Sequence, residues 1–232
     1  MKSLLVAVCL ASMLFSTTGA ANSEETVFGP NLLRNDPTIS IYRESGSGVA
    51  TFVSGHLSSN KSTGNEVEAA LEFLEANQGA FRIESPRENL LVKRVDKDDL
   101  GMVHVRFDQY YQGIRILEGE LLAHFSADGL LQTVNGNVET ELDLSITPDI
   151  DAATAVAVAE RELMDHFGKG EPNKPELVVF RWQDEIYLCW RMFLWSSTPM
   201  GRWEYLVDAH TGDIRFLANR IMDANDIGTG VG

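Results

Sequence analysis

The stretch VDAHTGDI at 207–214 gathers Asp208, His210 and Asp213, the residue types that pass a proton in a hydrolase. The same spacing fits a hairpin turn. Asp208 and Thr211 can accept hydrogen bonds from turn amides, and Gly212 can take the positive φ that such a turn needs. The turn accounts for the whole stretch and is the reading adopted. Two other carboxylate groups, Asp149 with Asp151 and Asp96 with Asp98 and Asp99, have the composition of an acid/base pair or a calcium loop. Helix capping and a solvated loop explain them better. His104 and His124 lie on the polar sides of alternating strands and can meet across a sheet, but two imidazoles without a third ligand fall short of a metal site. None of the five histidines stands in a His-Glu-x-x-His pattern, and the chain has no Cys-x-x-Cys, Gly-x-Ser-x-Gly or P-loop. Cys189, within IYLCWRMFLW, has the surroundings of a buried core thiol rather than a nucleophile.

The ends and the charge bound the remaining classes. Residues 1–21 carry one charge, Lys2, then an apolar run from Leu4 to Phe15 and the small residues Thr18, Gly19, Ala20 and Ala21, the pattern of a secretory signal peptide. The run falls short of the roughly 20 residues a spanning helix needs. Cys9 leaves with this segment, so the exported chain has no internal disulfide and must rely on packing. Loss of Lys2 takes the formal charge from -15 to -16. A surface so acidic repels nucleic acid and anionic lipid, so neither nucleic acid nor, after signal cleavage, a membrane is an expected partner.

The elements that would position any site repeat in order. Residues 22–59, with Pro30, Pro37 and SGSG at 45–48, read as a flexible arm or linker. A helix follows, with Thr63 and Glu66 as a capping box, Val67, Ala70, Leu71 and Leu74 on one face, and Gly79 as its stop. Strands occupy 90–107, with MVHVRF the clearest, and continue through ELLAHF and LLQTVNG, joined by turns at 112–113 and 127–129. Asp151 then caps AATAVAVAERELMDHF, and LVVFRW, IYLCWRMFLW, RWEYLVDA and IRFLANRI read as a second set of strands. The fold class is therefore α+β, two small modules at 60–138 and 148–222, each a helix followed by an antiparallel sheet. IYLCWRMFLW is apolar on both faces apart from Arg191, as expected of a central strand with Trp190 in the core.

HVRFDQYYQGIRILEGELLAHFSADGLLQTVNGN at 104–137 resembles the fungalysin/thermolysin propeptide module, whose signature runs His-Val-Arg-Phe-x-Gln-x-Tyr-x-Gly-Ile-x-Val before a glycine-glutamate strand. Downstream, AATAVAVAERELM, LCWRMFLW and RWEYLVDAHTGDIRFLANRI are similar to the PepSY-type module that follows it in thermolysin-like precursors. The sequence departs from the pattern at Arg115, Leu117 and Glu118, where the family often has proline, an aromatic or aliphatic residue, and glycine. ANDIGTGVG resembles the junction into the metalloprotease domain, so 223–232 is read as a junction to a protease domain absent from this sequence.

The resemblance implies a secreted, non-catalytic pro-region that templates the folding of a thermolysin-like metalloprotease domain and inhibits it, in cis or in trans. Zinc and calcium would then belong to that absent domain, with no cofactor in this chain. The family's zinc ligands and catalytic glutamate have no matching positions here. Val105, Phe107, Ile114 and Ile116 read as core, and Tyr110, Tyr111 and Glu118 as a candidate binding face. Ile221, Met222, Asn225 and Ile227 are the candidate protease-contacting tail. A stand-alone envelope binding module of the same fold is the competing reading.

Overall fold

The computed structural model describes residues 37–167, 170–197 and 200–221. The expected signal peptide, the arm as far as residue 36, the junction 223–232 and the tail residues Met222, Asn225 and Ile227 lie outside the described residues. No described helix is long and apolar enough to cross a membrane.

Part of the segment read as a flexible arm is a hairpin: β1 (Ser40–Arg43) pairs antiparallel with β2 (Ala50–Ser54). Val49, Ala50, Val53 and Leu57 are buried, so apolar burial holds this stretch against the sheet despite its glycines and serines. Helix α1 (Glu66–Ala76) follows, with Glu66 and Glu68 suited to its positive N-terminal end. The expected box with Thr63 is replaced by Glu66 Oε1 accepting from the Gly64 amide at 3.0 Å. Gly79 does not stop the helix but lies within a further short turn, α2 (Gln78–Phe81). The break falls at buried Asn77, whose side-chain amide donates to the Phe73 carbonyl at 2.8 Å.

After α3 (Pro86–Asn89) come β3 (Leu90–Lys97), β4 (Val103–Tyr111), β5 (Ile114–Phe125) and β6 (Leu131–Asn137). The β4–β5 turn has positive φ at both Gln112 and Gly113, 47° and 83°, the two-residue turn that matches strand twist. Val105, Phe107, Leu121, Ala123 and Phe125 alternate onto the face that packs on Phe73, Leu74 and Phe81.

The second unit is α4 (Ala152–Phe167) with β7 (Gly170–Pro172), β8 (Glu176–Trp182), β9 (Glu185–Ser197), β10 (Met200–Asp208) and β11 (Ile214–Asn219). Asp151 caps α4 as expected, its Oδ1 accepting from the Thr154 amide at 2.8 Å. Ala155, Ala159 and Leu163, four residues apart, press on Met192, Leu194, Tyr205 and Val207. β9 is central, between β8 and β10. Trp190 is half-buried rather than enclosed, and its indole donates to the Ile150 carbonyl at 2.9 Å. The α+β class and the helix-then-sheet order are as the sequence indicates. The two units nevertheless share one sheet, ordered β1-β2-β6-β5-β8-β9-β10-β11, because β5 pairs parallel with β8 through Arg115↔Val178 and Ile116↔Val179.

Candidate functional site

The seam between the units is made by a bend in β5. One edge of β5 follows β4 along its length; the other edge pairs with β8 at Arg115–Ile116 and with β6 from Glu120 onward. The exchange of partners happens across Leu117, Glu118 and Gly119. Glu118 has φ +64°, a left-handed conformation that a glycine adopts freely and a glutamate does not. A side chain at 119 would crowd Gln109, since a Cβ there would lie 2.9 Å from Gln109 Oε1 and 3.0 Å from Gln109 Cβ. Gln109, only 4% exposed, uses that room to grip the connecting segment: its amide donates to the Glu139 carbonyl and its oxygen accepts from the Glu139 amide, both at 2.7 Å.

Arginines and glutamates then cross the open face of the shared sheet, the face opposite α4. Arg220 and Arg191 both bind Glu204, at 2.5 and 2.6 Å. Arg191 reaches Glu176 at 3.9 Å, and Glu176 takes a two-pronged bond from Arg115, 2.9 Å on each arm. Arg115 holds the Glu176 carboxyl below its usual range, and Glu176 in turn raises the Arg115 guanidinium. This chain ties the second unit's outer strands to β5 of the first. To one side lie Val178, Phe180, Cys189 and Leu206, packed with Leu117 and Phe216. To the other lie Phe193, Trp195, Arg202 and Met200.

The residues singled out from sequence do not form one cluster. Tyr110 and Tyr111 line a cleft of about 630 Å³ beside Arg82, Ile83 and the segment Glu139–Leu142. Glu118, exposed at the bend, lines a separate cleft of about 550 Å³ with Arg181 and Glu139, and Arg181 pairs with Glu139 at 2.5 Å. The two clefts share Glu139, Thr140 and Glu141 as a common wall. Ile221 lies at the far edge, its amide donating to Asn219 Oδ1 at 3.0 Å. Of the expected core positions Val105, Phe107 and Ile116 are buried, and Ile114 is half-buried.

The candidate chemistry resolves into structure. Asp208 Oδ1 accepts from the His210 and Thr211 amides, Gly212 has φ +81°, and Asp208 Oδ2 pairs with Arg215 at 2.8 Å. Burial pushes the Asp208 carboxyl up, but those amides and the guanidinium outweigh it and leave the net shift downward. His210 Nδ1 meets Asp149 at 2.9 Å while Nε2 meets the Ser145 carbonyl at 3.2 Å, so no hydroxyl stands where a nucleophile would. His104 and His124 do meet, Nδ1 to Nδ1 at 2.7 Å, and each uses its other nitrogen on a neighbour, Asp98 and Asn135. Burial pushes the Cys189 thiol up to about 12, which keeps it protonated. Among the described residues no group of three or more His, Cys, Asp or Glu is placed to hold a metal.

Sequence reasoning missed Gln109, the Arg115–Glu176 fork and Arg202. The first two had a signal: Gln109 is one of the signature's residues, and Arg115 and Glu118 are where the sequence leaves the family pattern. Arg202 offered none.

Residues 88–138 match the Fungalysin/Thermolysin Propeptide Motif, the span that begins in α3 and closes with β6. The chain is 28% identical over 180 residues to Bacillolysin of Bacillus cereus, covering 73% of this chain and 31% of that protein. It is 29% identical over 174 residues to Neutral protease B of Bacillus subtilis (strain 168), covering 71% and 32%. The chain thus spans about a third of the length of the curated relatives it matches. A solved structure, the Bacillus megaterium YpeB C-terminal domain, aligns with a TM-score of 0.40 and 16% identity over 80% of this chain and 76% of that one.

Proposed function

We propose that this chain, which carries a thermolysin-like protease propeptide region, is exported and acts as a chaperone and inhibitor of a thermolysin-like metalloprotease domain, in cis or in trans. The observation that carries the reading is the coincidence of the matched motif, residues 88–138, with the β3–β6 unit, in relatives whose similarity runs on through about three-quarters of the chain. The motif's Gln109 and Gly119 set the bend and the grip on Glu139 that join this unit to the next. A preformed sheet surface of this kind suits the role. A protease domain rich in non-local contacts folds slowly, and a rigid complementary surface lowers the barrier by binding the forming fold; the same complementarity then occupies the finished enzyme.

In this reading the segment carrying Ile221, Met222, Asn225 and Ile227 lies along the substrate cleft, its apolar side chains in subsites for hydrophobic residues, and Tyr110, Tyr111 and Glu118 belong to the contact face. Zinc and calcium sit in the protease domain. The test is refolding: a denatured thermolysin-like protease domain is diluted into buffer with and without an equimolar amount of this chain. Recovered peptidase activity should rise several-fold after the chain is digested away. An unchanged yield over a tenfold excess overturns the chaperone role.

A further inference from the structure

The open face of the second sheet holds Arg115, Arg191, Arg215 and Arg220, each paired with a carboxylate: Glu176, Glu204, Asp208 and Glu204 again. Arg202, on the same face, has no carboxylate partner among the described residues. Its guanidinium lies 4.0 Å from the Phe193 ring centre and 5.7 Å from that of Trp195. Trp195, which pairs with Arg202 across the hairpin, is 53% exposed, and Met200, opposite Ser197 on the same hairpin, 72%. In a chain of net charge -15, a guanidinium that lies over aromatic rings, has no carboxylate partner among the described residues and is rimmed by exposed apolar side chains makes a candidate contact surface.

We propose that Phe193, Trp195, Met200 and Arg202 form a docking patch for the protease domain, which seats a carboxylate on Arg202 and an apolar side chain against Trp195 and Met200. This rests on the pro-region reading. A guanidinium attracted to a ring face keeps N–H donors that can receive a carboxylate in two-pronged fashion. Charge complementarity sets the partner's chemistry: Arg202 calls for an anionic group, and Trp, Met and Arg are the residue types enriched at interface centres. The chain's course favours the same occupant. The Arg220 amide donates to the Arg202 carbonyl at 2.7 Å and the Arg202 amide to Asn219 Oδ1 at 3.1 Å, so the described chain ends beside Arg202 and a domain joined in cis would be tethered near the patch.

The full chain and its Arg202→Glu, Trp195→Ala and Lys61→Glu variants are titrated against a thermolysin-like protease domain, reading the inhibition constant at low and high salt. Lys61, exposed and paired with Asp128 in the first unit, is the remote charge control. Arg202→Glu and Trp195→Ala should each weaken inhibition by about tenfold or more, the first chiefly through slower association and with a flattened salt dependence, and Lys61→Glu by less than about twofold. Thermal melts confirm folding, and Arg202→Gln replaces Arg202→Glu if reversal prevents it. Inhibition by the parent that survives both patch substitutions within about twofold overturns the patch and leaves the pro-region reading standing. No inhibition by the parent overturns both.

Discussion

Replacing Glu118 by glycine should make the protein more stable. Glu118 sits at φ +64° in the middle of β5, where the strand exchanges β8 for β6. Holding a residue with a Cβ in that conformation costs about 1–2 kcal/mol. Glycine removes this strain but adds freedom to the unfolded chain, which offsets about 0.4–1 kcal/mol. The glutamate side chain makes no hydrogen bond or ion pair with the described residues and is exposed, so its removal forfeits little. The net expectation is a gain near 1 kcal/mol, or about 2–4 °C in Tm for a chain of this size. Calorimetry on the parent, Glu118→Gly and Glu118→Ala separates the causes. Alanine keeps the Cβ and the strain, so it should stay within about 0.5 kcal/mol of the parent. If glycine lowered Tm, or if alanine stabilised as much as glycine, backbone strain at the bend would be the wrong account.

The remaining predictions concern packing and charge. Gly136→Ala would set a Cβ 2.0 Å from the Glu120 carbonyl oxygen at a φ of +146°, and chemical denaturation should show a loss of about 3 kcal/mol or failure to fold. Gly212→Ala, at φ +81° with only Ile150 Cδ1 nearby at 3.8 Å, should lose about 1 kcal/mol from strain alone. Trp190→Ala, which opens the contact with α4 and orphans the Ile150 carbonyl, should cost about 3 kcal/mol, with Trp190→Phe retaining most of the packing; equal midpoints for parent and alanine variant would refute the placement of β9 at the centre. Stability should fall on both sides of neutrality. The Asp149 carboxylate raises His210, so its contribution is full below the unfolded value near 6.5 and is lost as pH rises through the higher folded value. Burial lowers His124, helped by His104 and Arg106 and opposed by Asn135, so protonation is disfavoured in the fold and stability drops as pH falls from about 6.5 through the lower folded value. His210→Gln should flatten the alkaline side of a Tm–pH curve, and His124→Gln the acid side.

Alternation and capping made much of the fold legible. VHVRF and ELLAHF alternate as a sheet with one covered face must, and Asp151 stands where a helix of small apolar residues begins. The hairpin at 208–213 was legible residue by residue, since Asp and Thr ahead of a glycine satisfy turn amides by themselves. The ordering of residues 37–59 was not. Its strands are four and five residues long and are held by burial of Ala50, Val53 and Leu57 against a core assembled from distant sequence. The β5–β8 pairing was also hidden: two residues of parallel register leave no periodic trace, and the Arg115–Glu176 fork that accompanies it joins positions 61 apart. Of the candidate face, Tyr110 and Tyr111 fall on one cleft and Glu118 on another, with Glu139, Thr140 and Glu141 as the wall between them.

The central claim, that this chain binds a thermolysin-like protease domain, is tested most directly by calorimetric titration of the full chain into such a domain with its catalytic glutamate replaced, so that neither partner is cleaved. A saturable one-to-one isotherm with Kd of about 1 μM or tighter, and a negative heat-capacity change reporting apolar burial, is the predicted result. A folded chain and a folded protease domain that give no binding heat at two temperatures and elute separately at about 100 μM would contradict it.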